Sequence, residues 1–287
     1  MIKDAVQSVL NLLPDEAYLK LKYRIRMGKK LNLENPVTYS EKLQWLKLHN
    51  RKPEYTTMVD KAAVKEYIAE KIGPEYIIPT LGVWDRFEDI DFDTLPEQFV
   101  LKCTHDSGGL VICRDKAKLD REEAKKKIEK SLKNNYYYHG REWPYKNVKP
   151  RILAEAYMAD EKGRLVDYKF FCFNGQVDSV MVCLDRETGS PKFYFFDRNW
   201  QLKRYNVRGK EAPEGFTLPK PDKMDAMFDL AAELSQGIPF VRVDLYNRDG
   251  RIYFGEMTFY PQNGFDPNLL PETDAEWGQK LILPEKA

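Results

Sequence analysis

The chain has 287 residues, 32% of them charged and 43% hydrophobic, with 46 Lys and Arg against 45 Asp and Glu for a formal charge of +1. That is a solvated surface around a packed interior, long enough for two domains or one large α/β unit, and its balanced charge argues against a generic polyanion binder such as a nucleic-acid protein. Charges interrupt the apolar runs of residues 1–23 every few positions, so neither a leader core nor the ~20 apolar residues of a membrane span is legible, and a soluble cytoplasmic protein is expected.

Apolar positions at three- and four-residue spacing predict helices over 17–27, 39–48 and 59–72. Pro14-Asp15 can open the first, Thr38 and Glu41 have capping-box spacing for the second, and Gly73-Pro74 closes the third. β-branched and aromatic runs at 76–84, 99–105 and 109–113 then read as strands, followed by a charged helix from about 120 to 134 and a loop holding Tyr136, Tyr137, Tyr138, Trp143 and Tyr145. Strands at 151–158 and 167–173 follow, the second turning at Asn174-Gly175 into an antiparallel partner. Runs at 192–197 and 202–207, a helix over 223–236 and a hairpin of 240–246 with 251–259 complete the pass, with no internal repeat. The four cysteines lie in strand-like runs without a CxxC pair, and only three histidines occur, which argues against zinc and for reduced, buried thiols.

The last hairpin carries the strongest chemical signal. Strand alternation puts Arg242 and Asp244 on one face, and Glu256 and Thr258 on one face of the returning strand, so two carboxylates would meet across the pair. Opposed like charges want a cation between them: Mg²⁺ shared with substrate phosphates, or else an Arg or Lys partner. In residues 99–112, Lys102 interrupts an apolar strand that runs into Ser107, Gly108 and Gly109, a turn whose backbone N–H groups could approach a phosphate, although a hairpin turn with a snorkelling lysine reads equally well. It is neither a Walker loop nor a dinucleotide fingerprint. Asp167 and Lys169 share a strand face and could satisfy each other. Lys61, beside Asp60 at a helix start, runs against the dipole preference, a weak sign of a ligand.

Taken together, segments 35–46, 59–67, 99–108, 167–175 and 240–259 resemble the ATP-grasp ligases, and within them the TupA-like branch associated with teichuronopeptide and capsule biosynthesis. The resemblance implies an α+β fold in which two subdomains clasp a nucleotide behind a helical N-terminal region, with units at 1–75, 76–150 and 151–287. It implies ATP and Mg²⁺ as cofactors, with Lys61 and Lys102 at the phosphates under the loop Ser107, Gly108 and Gly109. Glu155 and the backbone near Ala156 to Met158 would read adenine, and Asp167 and Lys169 would lie near ribose or phosphate. Asp244 and Glu256 match the family's magnesium carboxylates. Thr258 stands where many members have Asn, with Asn263 a candidate stand-in. Arg242 matches a basic residue facing the reacting acyl group, and it joins Lys102 as a catalytic candidate.

The activity so implied is ADP-forming ligation of a carboxylate to an amine or thiol through an acyl phosphate, making an amide on a cell-surface or capsular polysaccharide precursor. The substrates would be small-molecule or saccharide carboxylates and amines. A kinase-like phosphotransferase, or a non-catalytic carbohydrate- or nucleotide-binding protein, is the alternative. The loop at 105–109 and the segment 134–146 are expected to move as the cleft closes.

Overall fold

A computed structural model describes residues 10–159, 165–185 and 190–285, so the first nine residues, on which part of the reading of the opening run rests, lie outside the described residues. Helix α1 (Asp15–Met27) has acids in its first turn and Arg24 and Arg26 in its last, and ends at Gly28, whose left-handed backbone lets its N–H donate to the Arg24 carbonyl. Helix α2 (Tyr39–His49) opens with the capping box of Thr38 and Glu41 that the spacing predicts. The helix expected over 59–72 divides into α3 (Glu54–Val59) and α4 (Val64–Lys71). Asp60 leaves the helical region, and its carboxylate accepts the N–H groups of Ala62 and Ala63 at 2.9 and 3.2 Å. This Asp-made turn presents Lys61.

The first sheet contains β1 (Thr80–Trp84), β2 (Phe99–Cys103), β3 (Leu110–Cys113) and β4 (Ile152–Ala156) in the order β1-β4-β2-β3, all neighbours antiparallel. Helix α5 (Arg121–Leu132), capped by Asp120, buries Ala124 and Ile128 in the core that Phe99 and Leu101 build beneath this sheet. After it comes the short α6 (Tyr137–Gly140). The expected boundary at residue 150 assigns β4 to the second unit, yet β4 pairs with both β1 and β2. A division by sheets therefore falls after Ala156.

The second sheet runs β10-β9-β5-β6-β7-β8, from β5 (Asp167–Phe173), β6 (Gln176–Leu184), β7 (Lys192–Phe196), β8 (Leu202–Lys203), β9 (Phe240–Arg248) and β10 (Arg251–Thr258). Asn174 and Gly175, with φ of 49° and 81°, make the tight turn between β5 and β6. Between β8 and β9 lie α7 (Val207–Glu211) and α8 (Met224–Leu234), and α8 covers one face by setting Phe228 edge-on to Phe170. On the other face Phe171, Phe173 and Phe240 pack with Tyr39 of α2 and Trp277 of α9 (Pro271–Lys280). The helical region and the second sheet thus share one core. The four cysteines are buried thiols outside any disulfide. Among the described residues no helix is long and apolar enough to cross a membrane.

Helix α9 is absent from the sequence reading, although Pro271 at its start and acids in its first turn mark it. Its Gly278 lies against the backbone before α2: a Cβ there would sit 2.2 Å from the Val37 carbonyl oxygen and 2.8 Å from Thr38 Cα. Gly278→Ala is therefore expected to cost about 1–3 kcal/mol, read as a lower urea midpoint at unchanged slope. A midpoint equal to wild type would show that the contact yields freely.

Candidate active site

The β9–β10 hairpin sets Asp244 opposite Glu256 and Arg242 opposite Thr258, after a bulge between Phe254 and Glu256. Gly255 fits that bulge because a Cβ would come within 2.9 Å of the Asp244 carbonyl oxygen. The four polar side chains share a face, as alternation predicts, and the cation between the carboxylates is Arg242. Its Nε and one terminal nitrogen donate to Asp244 at 2.6 and 2.7 Å, and the latter also reaches Glu256 Oε1 at 2.9 Å and Thr258 Oγ1 at 3.0 Å. From the neighbouring β5, Lys169 pairs with Asp167 at 2.7 Å and, more closely, with Asp244.

The two carboxylates differ in exposure. Asp244 is 1% exposed, and burial pushes its carboxyl up to about 6 against the pull of Arg242 and Lys169. The Glu256 side chain is 41% exposed, and among the described residues no hydrogen bond reaches its Oε2. Burial raises Glu256 too, but the charges of Arg242, Lys169 and Lys61, with the Thr258 hydroxyl, hold it down to about 2.

A second set of charges comes from the first sheet and α4. Lys102 on β2 and Lys65 on α4 each lie 2.6 Å from one oxygen of Glu155 on β4, and Lys65 also donates to the Ile78 carbonyl at 2.7 Å and Thr80 Oγ1 at 2.8 Å. Burial raises the Glu155 carboxyl, but the two lysines outweigh it and keep it below the usual range. Lys61 donates to the Asp106 carbonyl, and its ammonium is felt by Glu256 on one side and Lys102 on the other. Burial pulls its pKa down. The Gly109 N–H, expected to be open to a phosphate, donates to the Asp106 carboxylate at 3.1 Å. Gly109 is required there because a Cβ would fall 2.4 Å from Cys103 Sγ.

Both sets line one cavity of about 570 Å³. Lys61, Lys102, Ser107, Gly109, Glu155, Lys169, Arg242, Glu256 and Thr258 reach it. Asp167 and Asp244 sit behind its wall, 2% and 1% exposed, while Gly108 lies in the exposed loop. Ala156 and Met158 pack instead with Ile78 and Tyr253. Asn263, the suggested stand-in, turns Oδ1 away from the carboxylates and against Gly140, where a Cβ would be 1.8 Å from it.

The sequence reading passed over Lys65, four residues after Lys61 and one helical turn on, a spacing that could have flagged it. It also passed over Glu142, which is 3% exposed and lines the cavity beside Tyr136 and Tyr145. Burial pushes the Glu142 carboxyl up to about 7, opposed by Lys47 and Arg242, and pulls the fully buried Lys47 down to about 7. Several bonds tie the segment 134–146 to the N-terminal helices in this structure. Arg141 donates to the carbonyls of Leu10, Asn11 and Leu13, the Tyr18 hydroxyl donates to His139, Lys47 donates to Gly140, and Tyr137 pairs with Asp15.

An aligned set of cations with an open carboxylate among them can hold a polyanion and a divalent metal together. Solved structures to which the chain is similar include a D-alanine–D-alanine ligase from Bacillus anthracis complexed with ATP, 15% identical over 78% of this chain and 62% of that one, with a TM-score of 0.45. The ATP-grasp ligase PsnB, complexed with a phosphomimetic variant of its minimal precursor, Mg and ADP, is 10% identical over 85% of this chain and 65% of its own, with a TM-score of 0.44. The D-alanine–D-alanine ligase from Helicobacter pylori is 13% identical over 85% and 69%, with a TM-score of 0.42. The chain thus spans less than two thirds of the first two of these structures. No curated protein matches it. The model of the TupA-like ATP-grasp family matches residues 41–282, nearly the whole chain, and the protein belongs to that family.

Proposed function

We propose that the protein is an ADP-forming ligase that activates a carboxylate with ATP and passes the acyl group to an amine, making an amide on a cell-surface polysaccharide precursor. One observation carries the reading: lysines from the first sheet and α4 face an arginine, a lysine and an open carboxylate from the second sheet across a single cavity. Phosphoryl transfer to a carboxylate needs alignment and charge neutralisation more than covalent help. Lys61 and Lys102 hold the phosphates, trading their present partners, the Asp106 carbonyl and Glu155, for phosphate oxygens. Glu155 at the cavity wall, with the backbone of 156–158, where the Ala156 and Met158 side chains pack on Ile78 and Tyr253, would read the base, and Asp167 keeps Lys169 directed at the phosphates.

The donor set fits Mg²⁺, which takes one or two carboxylates and fills its remaining positions with phosphate oxygens and water. Glu256 would hold it through its open oxygen, with Thr258 beside it, and Asp244 would join only if Arg242 turned to the acyl oxygens and Lys169 to the phosphates. When bound, the ion would neutralise charge on the phosphate oxygens. Arg242 keeps its charge under all ordinary conditions, and its planar fork suits the acyl oxygens. Tyr136 and Tyr145 line the cavity with rings of the kind on which sugar faces stack.

Saturating Mg-ATP is expected to raise the melting temperature by about 2–4 °C or more, since it binds the folded chain alone. A screen of sugar acids and amino acids paired with amines should release phosphate and ADP together with an amide. A phosphoester without free phosphate would make the protein a kinase. Absence of any melting shift with ATP or ADP, with or without Mg²⁺, would remove the nucleotide site altogether.

A further inference from the structure

We propose that Glu142 anchors the acceptor, its carboxylate binding the acceptor's amino group as an ammonium ion beside Arg242 and Glu256 until it gives one proton to water in the cavity and attacks as the free amine. This rests on the ligase reading and adds to it the charge class of the acceptor, a primary amine that is cationic at neutral pH.

Glu142 lies between α6 and the turn at 143–145 and points into the cavity, 3% exposed. Among the described residues its carboxylate accepts no hydrogen bond and makes no direct ion pair. The charged and titratable groups around it are Lys47 from α2, Arg242 from β9, Glu256 from β10, and Tyr136, Tyr145 and Tyr260. Neither cation is available to it. Lys47 spends its ammonium on Gln44 Oε1 at 2.9 Å and on the carbonyls of Gly140 and Asn263 at 2.7 Å each. The Arg242 guanidinium is committed to Asp244, Glu256 and Thr258.

A carboxylate withdrawn from water without a partner is costly to ionise, which is why burial pushes Glu142 up to about 7, and a cation seated beside it would restore its charge. Glu142 cannot relieve the cost by swinging outward, because the bonds of Arg141 and of the Gly140 carbonyl hold the backbone on its N-terminal side. The fold therefore keeps an open acceptor at the cavity wall, beside the arginine assigned to the acyl group. An ammonium ion completes it: one N–H makes a charge-assisted bond to the carboxylate, and the others reach phenol oxygens or water. Tyrosine faces nearby attract the same charge. A neutral hydroxyl would donate one hydrogen bond to the carboxylate but would leave its charge uncompensated.

The test uses the full chain, as wild type and as Glu142→Gln, with ethylammonium chloride as probe against sodium chloride at equal ionic strength. Ethylammonium should raise the wild-type melting temperature by about 2 °C and leave Glu142→Gln unmoved, while Mg-ATP shifts both alike. Glu142→Gln should melt no lower than wild type, since the carboxylate has no partner to lose. In turnover it should raise the KM for primary amines about tenfold or more, while hydroxylamine, uncharged at neutral pH, is used equally by both proteins. Equal ethylammonium shifts in the two proteins, or none in wild type, overturn the proposal, as does loss of the Mg-ATP shift in the variant. Should Glu142→Gln fail to fold, Glu142→Asp, which withdraws the charge by one methylene, must lose most of the ethylammonium shift. Absence of a Mg-ATP shift in wild type removes the ligase reading while leaving the ammonium measurement to decide this one.

Discussion

Glu256→Gln is expected to lower ATP turnover by about a thousandfold while the protein stays folded. Oε1 of Glu256 is tied to Arg242 and Thr258, and a glutamine oxygen keeps both bonds. What the substitution removes is charge at the oxygen left open to the cavity, where the side chain is 41% exposed. A neutral amide there ligates Mg²⁺ poorly and cannot balance the lysines around a triphosphate. The stability change should stay within about 1 kcal/mol, because a half-exposed ion pair contributes little. Measuring ADP formation together with the urea midpoint separates the two effects. Turnover within tenfold of wild type would place the metal elsewhere.

Arg242→Met should be the most damaging change to folding, at about 3–5 kcal/mol near neutral pH. The guanidinium is the cation between Asp244 and Glu256, and a methionine of similar length leaves two carboxylates opposed across the strands. The sign of the pH dependence follows. Burial already raises Asp244 to about 6 with Arg242 present, and without the guanidinium it must rise further. A group whose folded pKa lies above its unfolded value, ~3.9 for Asp, stabilises the fold below that value and loses the contribution as pH rises through the folded pKa. Glu256, held down to about 2 in wild type, loses its favourable partner in the variant, and that loss too is felt only while the carboxylate is ionised. The deficit of Arg242→Met should therefore be largest at neutral pH and shrink on acidification toward pH ~4. Denaturant titrations across that range read it directly. A deficit that stays constant, or grows in acid, would show that the guanidinium contributes packing rather than charge.

Local patterns carried much of the fold. The capping box of Thr38 and Glu41, the Asn174-Gly175 turn and the alternation along 240–259 are short-range features whose physics is complete within a few residues, and the structure has each of them. The break at Asp60 is equally local, yet apolar spacing ran through it, because an Asx turn costs no hydrophobic position. Helix α9 went unread although its N-terminal signals are ordinary. The candidate site divides in the same way. Lys102 and the paired carboxylates announce themselves as charges inside apolar strands. Glu142 sits in an irregular turn where an acid is unremarkable, and only the fold that brings α2 and β9 near it withdraws it from water. Asn263 had the right chemistry at a suggestive position, and its left-handed backbone sends the amide elsewhere.

The central claim is that a magnesium-bridged triphosphate lies between the two sheets, and calorimetric titration of Mg-ATP into wild type and Lys102→Met tests it most directly. The account predicts a single site in wild type, weakened at least tenfold by Lys102→Met and by chelation of Mg²⁺. Binding that is indifferent to both, or no binding to the wild-type chain, would contradict it.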